Sequence, residues 1–184
     1  MEKMREKYIK KVIPALKEKF GYKNDLAVPK LIKVVVNTGF NPAVKDEKTQ
    51  KDIANDLAAI TGQKTVNCRS KISEAGFKIR KGMIIGLKTT LRGQKMYDFL
   101  DKIVNIALPR CRDFRGLPKK SIDNKGNLNI GIKEHIVFPE ISAEKSANIF
   151  GFEIAIASTA KTKKEGLELF KLLGFPIKID KKEK

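Results

Sequence analysis

The side chains best suited to covalent or metal chemistry are scarce in this chain: one histidine, His135, and two cysteines, Cys68 and Cys111, among 184 residues. A single imidazole cannot build a His-rich metal site. A Cys–His nucleophile pair would need His135 to meet one particular cysteine, and in IGIKEHIVF the imidazole reads more simply as an ordinary strand-end or partly buried residue. Cys68 and Cys111 are too distant in sequence for a CxxC motif, and two cysteines make no disulfide framework, so partly buried thiols are expected. The 13 glycines include neither GxxxxGK[ST] nor GxGxxG, and the GxxG clamp of KH domains is missing too. Carboxylates such as Asp113 and Glu134 would have to act alone and read as surface or fold partners. No metal or cofactor is expected.

What remains is binding chemistry carried by cations. Lysine and arginine number 39 against 21 acids, a formal charge of +18. The excess is greatest in residues 61–120, which hold 15 basic and 4 acidic side chains. A phosphate backbone is the natural partner of such a chain, because neutralising phosphates releases condensed counterions. Strand side chains alternate between faces, and that parity sorts these cations. In LIKVVVNTG, Ile32, Val34 and Val36 share one face and Lys33, Val35 and Asn37 the other. In KTVNCR, Val66 and Cys68 fall opposite Thr65, Asn67 and Arg69. In IIGLKTTLR, Ile85, Leu87, Thr89 and Leu91 point inward while Lys88, Thr90 and Arg92 point outward beside Gly86. No aromatic residue interrupts these polar rows, unlike the base-stacking sheet of an RRM. The pattern points to folded, double-stranded or loop RNA recognised by shape, and the lack of a clear helix-turn-helix or zinc finger lowers the case for DNA.

The elements that must carry these rows are legible in outline. Met4, Tyr8, Val12, Leu16 and Phe20 recur every fourth residue along one side of a helix, which Pro14 should kink or restart. A second helix opens at Asp46 with Ile53, Leu57 and Ile60 inward, and a third runs from Met96 until Pro109 stops it. NLNIGIKE and GFEIAIAST read as later strands, and Thr162 with Glu165 stands in capping-box register for a last helix. The lysine-rich end KIDKKEK is expected to fray. These elements predict one α+β domain over 1–184, with helices on one face of a mainly antiparallel sheet and a polar, basic opposite face. Two basic loops interrupt it. Residues 70–83 form a long hairpin connection in which Phe77 and Ile79 stand among cations, either protruding or folded back on the core. Residues 109–126 carry six cations and two acids, with Arg110, Arg112 and Arg115 where cations suit a helix C-terminus. No uncharged run approaches the ~18 residues of a membrane span, and MEKMREKYIKK lacks a signal peptide's apolar core, so a cytosolic protein with no membrane partner is expected.

LAAITGQKTVNCRSKIS at 57–73, followed in order by AGFKIRKGMIIGLKTTLRG, LPRCRDFRGL and NIGIKEHIVFPEI, resembles the bacterial-type large-subunit ribosomal protein five family across essentially the whole chain. The resemblance implies a curved antiparallel sheet, no enzyme activity and residence in the cytoplasmic ribosome. It implies 5S rRNA at the sheet face and adjacent loops, with Lys33, Asn37, Lys88, Thr90 and Arg92 as its contacts and Thr65, Asn67 and Arg69 as weaker candidates. It places P-site tRNA at Ala75, Gly76, Phe77, Lys78, Ile79, Arg80, Lys81 and Gly82. Further implied partners are other large-subunit rRNA, proteins of the central protuberance, and small-subunit ribosomal protein thirteen. Asn41 and Pro42 replace a more glycine-rich stretch familiar in the family. An RNA-modifying or nucleotide-using enzyme is the alternative, without a phosphate loop to support it. A binder of anionic membranes ranks third, because the cations do not gather on one amphipathic terminal helix.

Overall fold

The computed structural model describes residues 3–40, 47–112, 114–141 and 148–178. Asn41, Pro42, Asp46, Asp113 and the terminal run after Lys178 lie outside them. Five strands, β1 (Leu31–Gly39), β2 (Val66–Arg69), β3 (Ile84–Leu91), β4 (Leu128–Ile132) and β5 (Phe152–Ser158), join as one open antiparallel sheet in the order β2-β3-β1-β5-β4. At the start of β1, the Thr159 amide donates to the Lys30 carbonyl (2.9 Å). Near its end, Thr38 Oγ1 donates to the Gly151 carbonyl (2.8 Å), so β5 runs back along β1. Alternation is clean on β4, with Leu128, Ile130 and Ile132 buried and Asn129 and Gly131 exposed. On β1, Val34, Val36 and Thr38 are buried, whereas Ile32 is 46% exposed and Leu31 is buried in its place. The inward assignment of Ile32 is thus corrected: the first residues of the strand precede its regular alternation.

The chain divides into two compact units. One comprises Met1–Val34, Arg92–Ile130 and Ala155–Lys184. Its first helix, α1, is built from Met4–Lys7, a π-helical turn Tyr8–Val12 and Ile13–Phe20. An apolar residue every fourth position drifts by about 40° per step on an ideal α-helix. The wider π turn rotates less per residue and takes up part of that drift, leaving Met4, Tyr8, Val12 and Leu16 all buried. Pro14 enters just after it, in the first turn of the restarted helix, where its missing amide is least costly. Tyr8 donates its hydroxyl to the Pro29 carbonyl (3.1 Å), and burial, assisted by Tyr97, pushes that phenol up to about 12.

The same device recurs in this unit. A helix here called α3 starts at Gly93–Lys102, passes through a π turn at Ile103–Ala107 and continues as Leu108–Arg110. Pro109 therefore does not stop the helix as expected. The π turn immediately before it again lets a proline take a first-turn position. The last helix, α4 (Lys163–Leu173), opens with Thr162 Oγ1 accepting from the Glu165 amide (3.3 Å), while Glu165 accepts from the Lys161 amide (2.8 Å). Lys7 Nζ donates to the Leu173 carbonyl at the far end of α4 (2.9 Å).

The second unit comprises Val35–Leu91 and Gly131–Ile154. Helix α2 (Glu47–Thr61) buries Ile53, Leu57 and Ile60, as its periodicity predicts, and packs on β3, whose Leu87, Thr89 and Leu91 are buried. Each such aliphatic side chain contributes roughly 1.5–3 kcal/mol on full burial. Gly62, at φ 65°, ends the helix with its amide on the Ala58 carbonyl.

Candidate nucleic-acid interface

β3 is the scaffold of the basic face. Of its inward residues Leu87, Thr89 and Leu91 are buried and Ile85 is half-buried; Lys88 is exposed and Thr90 half-buried, and Arg92 follows as the exposed residue before α3. On β1, Asn37 is exposed and Lys33 and Val35 are half-buried. Apart from Ile32 at the start of β1, parity agrees with the burial of these two strands, but it misplaced β2. Val66 pairs with Lys88, Asn67 with Leu87 and Cys68 with Gly86, and directly opposed residues of an antiparallel pair share a face. Val66 and Cys68 therefore stand on the Lys88 side, and Asn67 stands on the side of Leu87. The register then slips between Cys68 and Arg69, leaving Arg69 opposite Ile84. Thr65 precedes the strand and is half-buried. β2 is an edge strand whose residues are all at least partly exposed, so burial gave its apolar residues no preferred face.

The Lys88 side of β2 and β3 thus combines one row of cation and hydroxyl with an apolar margin of exposed Val66 and half-buried Cys68, next to the buried Gly86. Gly86 has no alternative: a Cβ there would lie 2.6 Å from the Thr38 carbonyl oxygen. Gln63, which parity did not single out, ties the start of β2 to β3 by donating Nε2 to the Thr90 carbonyl (3.0 Å). Among the described residues, none of Lys33, Arg69, Lys88 and Arg92 is held in an ion pair. Cations left unpaired on a rigid sheet are free to neutralise phosphates without first breaking a bond. The exposed residues of β4 and β5, Asn129, Gly131, Glu153 and Ala155, include no cation, which confines the basic face to β1, β2 and β3.

The 70–83 connection is a built hairpin. Ser70 and Met83 close its base through the Ser70 amide and the Met83 carbonyl (2.8 Å), and the Gly82 amide returns to the Ser70 carbonyl (2.9 Å). Further out, Glu74 and Ile79 exchange both amide bonds (2.8 and 3.0 Å) around a single turn at Ala75–Phe77. Phe77 is 67% exposed and Ile72 75%, whereas Ile79 is half-buried. The apolar tip therefore protrudes. Lys71, Lys78, Arg80 and Lys81 surround it, all exposed.

The 109–126 loop is fastened down instead. Leu117 is buried and pairs with Ile177, its amide on the Pro176 carbonyl (2.7 Å) and its carbonyl accepting from Lys178 (2.8 Å). Burial pushes the Asp123 carboxyl up. Hydrogen bonds from the Asn127 side chain and the Asn127 and Lys125 amides outweigh it and hold that carboxyl below the usual range. Arg110, Arg112 and Arg115 remain exposed beside this docked segment.

His135, expected at a strand end or partly buried, lies just past β4 and is wholly buried. Its ring stacks on Phe150 (4.0 Å between centroids), Nδ1 accepts from the Phe150 amide (3.4 Å), and Nε2 faces Asp56 Oδ2 on α2 (3.4 Å). Its role is to fasten the β4–β5 connection to α2. Burial pushes the Asp56 carboxyl up, Asp52 adds to this, and His135 opposes it. Among the described residues no three His, Cys, Asp or Glu side chains gather as metal ligands, and no helix is long and apolar enough to cross a membrane.

An α+β scaffold that displays unpaired cations on one sheet face and on a protruding hairpin belongs to the class of RNA-binding scaffold proteins. Comparison with known proteins gives the family. The family model described as "Ribosomal protein L5" matches residues 24–80, and the model for the C-terminus of the same ribosomal family matches residues 84–177. "Large ribosomal subunit protein uL5" of Dictyoglomus turgidum is 53% identical over 178 residues, covering 97% of this chain and 99% of its own. The proteins of the same name from Halothermothrix orenii (52%) and a Thermoanaerobacter species (53%) each align over 177 residues, 96% of this chain and 99% of theirs. The chain belongs to the uL5 family: it is a ribosomal protein of the large subunit, a component of the cytoplasmic ribosome and not an enzyme.

Proposed function

We propose that this protein binds 5S rRNA through the Lys88 side of its sheet and helps anchor that RNA in the central protuberance. Lys33, Lys88 and Arg92 meet phosphates, Asn37 and Thr90 meet ribose hydroxyls or base edges, and Arg69 extends the surface past the register slip. Thr65 and Asn67 keep secondary roles at the edge, Asn67 from the Leu87 side. The hairpin tip from Ala75 to Gly82 contacts P-site tRNA. Arg110, Arg112 and Arg115 meet other large-subunit rRNA, and the protein bridges to small-subunit ribosomal protein thirteen and to its neighbours in the central protuberance.

The observation that carries the sheet reading is a set of cations without ion pairs among the described residues, Lys33, Arg69 and Lys88 on neighbouring strands and Arg92 just past β3, with no aromatic among them. Titration of 5S rRNA and of a size-matched structured RNA across a salt series tests it. A preference for 5S rRNA that persists as salt rises supports shape-specific recognition. Equal affinities with equally steep salt slopes would reduce the surface to a general polyanion binder.

A further inference from the structure

Phe77 is a large apolar ring left 67% exposed at the crown of a hairpin. Its position is fixed by the hairpin's own bonds. The Glu74–Ile79 pair closes the turn, the Lys78 amide donates to the Ala75 carbonyl (3.0 Å), and the Lys81 amide donates to Ser73 Oγ (2.9 Å). Lys78, the next residue, has φ 55°, the only left-handed backbone of a non-glycine among the described residues. Hairpins with short loops usually give that position to glycine, and a side chain held there signals a turn that its surroundings over-determine.

The ring's neighbours narrow what it can meet. Lys71, Lys78, Arg80 and Lys81 are exposed and, among the described residues, none is in an ion pair; Glu74 is the only acid between 71 and 83. A purely apolar protein pocket would suit the ring and strand four cations. A fully paired RNA helix would suit the cations and offer the ring nothing, since its bases are already stacked. A nucleotide whose base is unstacked satisfies both, presenting a flat π face between two phosphates.

We propose that Phe77 is a stacking residue, which lays its ring on an unpaired base in an exposed loop of a structured RNA while Lys78 and Arg80 take the flanking phosphates. This assignment rests on the reading of the hairpin as an RNA contact. It gives the hairpin a selectivity for unpaired bases that the aromatic-free sheet face lacks.

The chain contains no tryptophan, so Phe77→Trp in the full-length protein places a single indole at the tip. Bulk deacylated tRNA and a fully paired RNA duplex of matched phosphate number are the probes, at a salt concentration that releases the duplex from wild-type protein. With tRNA the indole emission is quenched. With duplex, even at lower salt where it binds elsewhere, the emission is unchanged. Phe77→Tyr keeps tRNA affinity within about twofold, whereas Phe77→Leu, similar in bulk but without a π face, weakens it about fivefold or more. Wild-type affinity in Phe77→Leu, or equal quenching by the duplex, overturns the stacking role. The double substitution Lys78→Ala, Arg80→Ala separates the two levels. If it weakens tRNA binding while Phe77→Leu does not, the hairpin remains an RNA contact and only the stack falls. If neither variant changes affinity, the RNA reading of the hairpin falls with it.

Discussion

The sheet face and the 70–83 hairpin carry the same sign of charge on opposite kinds of support. Lys88 and Thr90 project from a strand paired on both sides, whose spacing is set by backbone ladders and whose inner face is locked under α2. The hairpin is held only by bonds within itself and by its two ends, and none of its residues from 71 to 78 is shielded from solvent. A fixed grid of cations suits a partner of fixed shape. A small projecting crown with one ring suits a partner that offers a single exposed base. The difference shows that charge brought both surfaces to attention, while rigidity and the presence of an aromatic separate what each can recognise.

The comparison breaks most severely if the sheet loses its geometry. Gly86→Val must displace either the side chain or β1, because the new Cβ would meet the Thr38 carbonyl at 2.6 Å. Overpacking of this kind costs about 1–3 kcal/mol and occasionally more, visible as a lower urea midpoint, with 5S rRNA affinity falling alongside. An unaltered midpoint would mean that the strands separate easily there. The next effect is electrostatic. Lys88→Ala with Arg92→Ala should lower 5S rRNA affinity in a salt-controlled titration and reduce the salt slope by about two, roughly one for each phosphate no longer neutralised. An unchanged slope would remove the two side chains from the interface.

Smaller effects sharpen the contrast. Removing residues 76–81 should leave 5S rRNA affinity within about twofold while disturbing tRNA occupancy of assembled ribosomes. Loss of 5S rRNA binding would refute the division of labour. Lys78→Gly, by relieving the left-handed backbone, should stabilise the hairpin by a few tenths to about 1 kcal/mol, read as slower amide exchange at Ile79 with unchanged exchange in β3. The mildest change is a control outside both surfaces. Because burial holds the Asp56 carboxyl above its ordinary value, the folded state binds its proton more tightly than the unfolded chain does. That contribution is present below the unfolded carboxylate pKa and is lost as pH rises through the folded value. Asp56→Asn should remove this acid-side slope in denaturation series from about pH 3.5 upward, and leave RNA affinity unchanged at neutral pH.

How far the sequence alone reached depended on whether burial constrained the residue in question. β1 and β3 lie inside the sheet, so from Val34 onward their apolar parity reports the core: Lys88 and Asn37 stand exposed and Thr90 half-buried, whereas Ile32 at the start of β1 departs from it. β2 lies at the edge. Val66 is 57% exposed, and nothing in its apolar character could reveal that hairpin register, rather than hydrophobicity, decides its face. Pro109 misled for another reason: a proline stops an α-helix on local grounds, but a π turn ending just before it converts it into a tolerable first-turn residue. Pro14, in the same arrangement, is legible as a kink or a restart because apolar spacing continues visibly beyond it. His135 kept its buried place hidden, since its partner Asp56 is distant in sequence and its contact with Phe150 spans the β4–β5 connection.

Lys7 and Leu173, joined through an ammonium at the last turn of α4, are separated by 166 positions along the chain. During synthesis, therefore, the amino-terminal helix leaves the translating ribosome long before the carbonyl it caps exists. One compact unit draws on the beginning, middle and end of the chain, while the other needs nothing beyond Ile154. Contacts of such long sequence separation form late, because loop closure must precede the gain. The amino-terminal helix is thus anchored at two ranges: its Tyr8 bond to the Pro29 carbonyl spans 21 positions and can close early, while its Lys7 bond to Leu173 waits until nearly the whole chain exists.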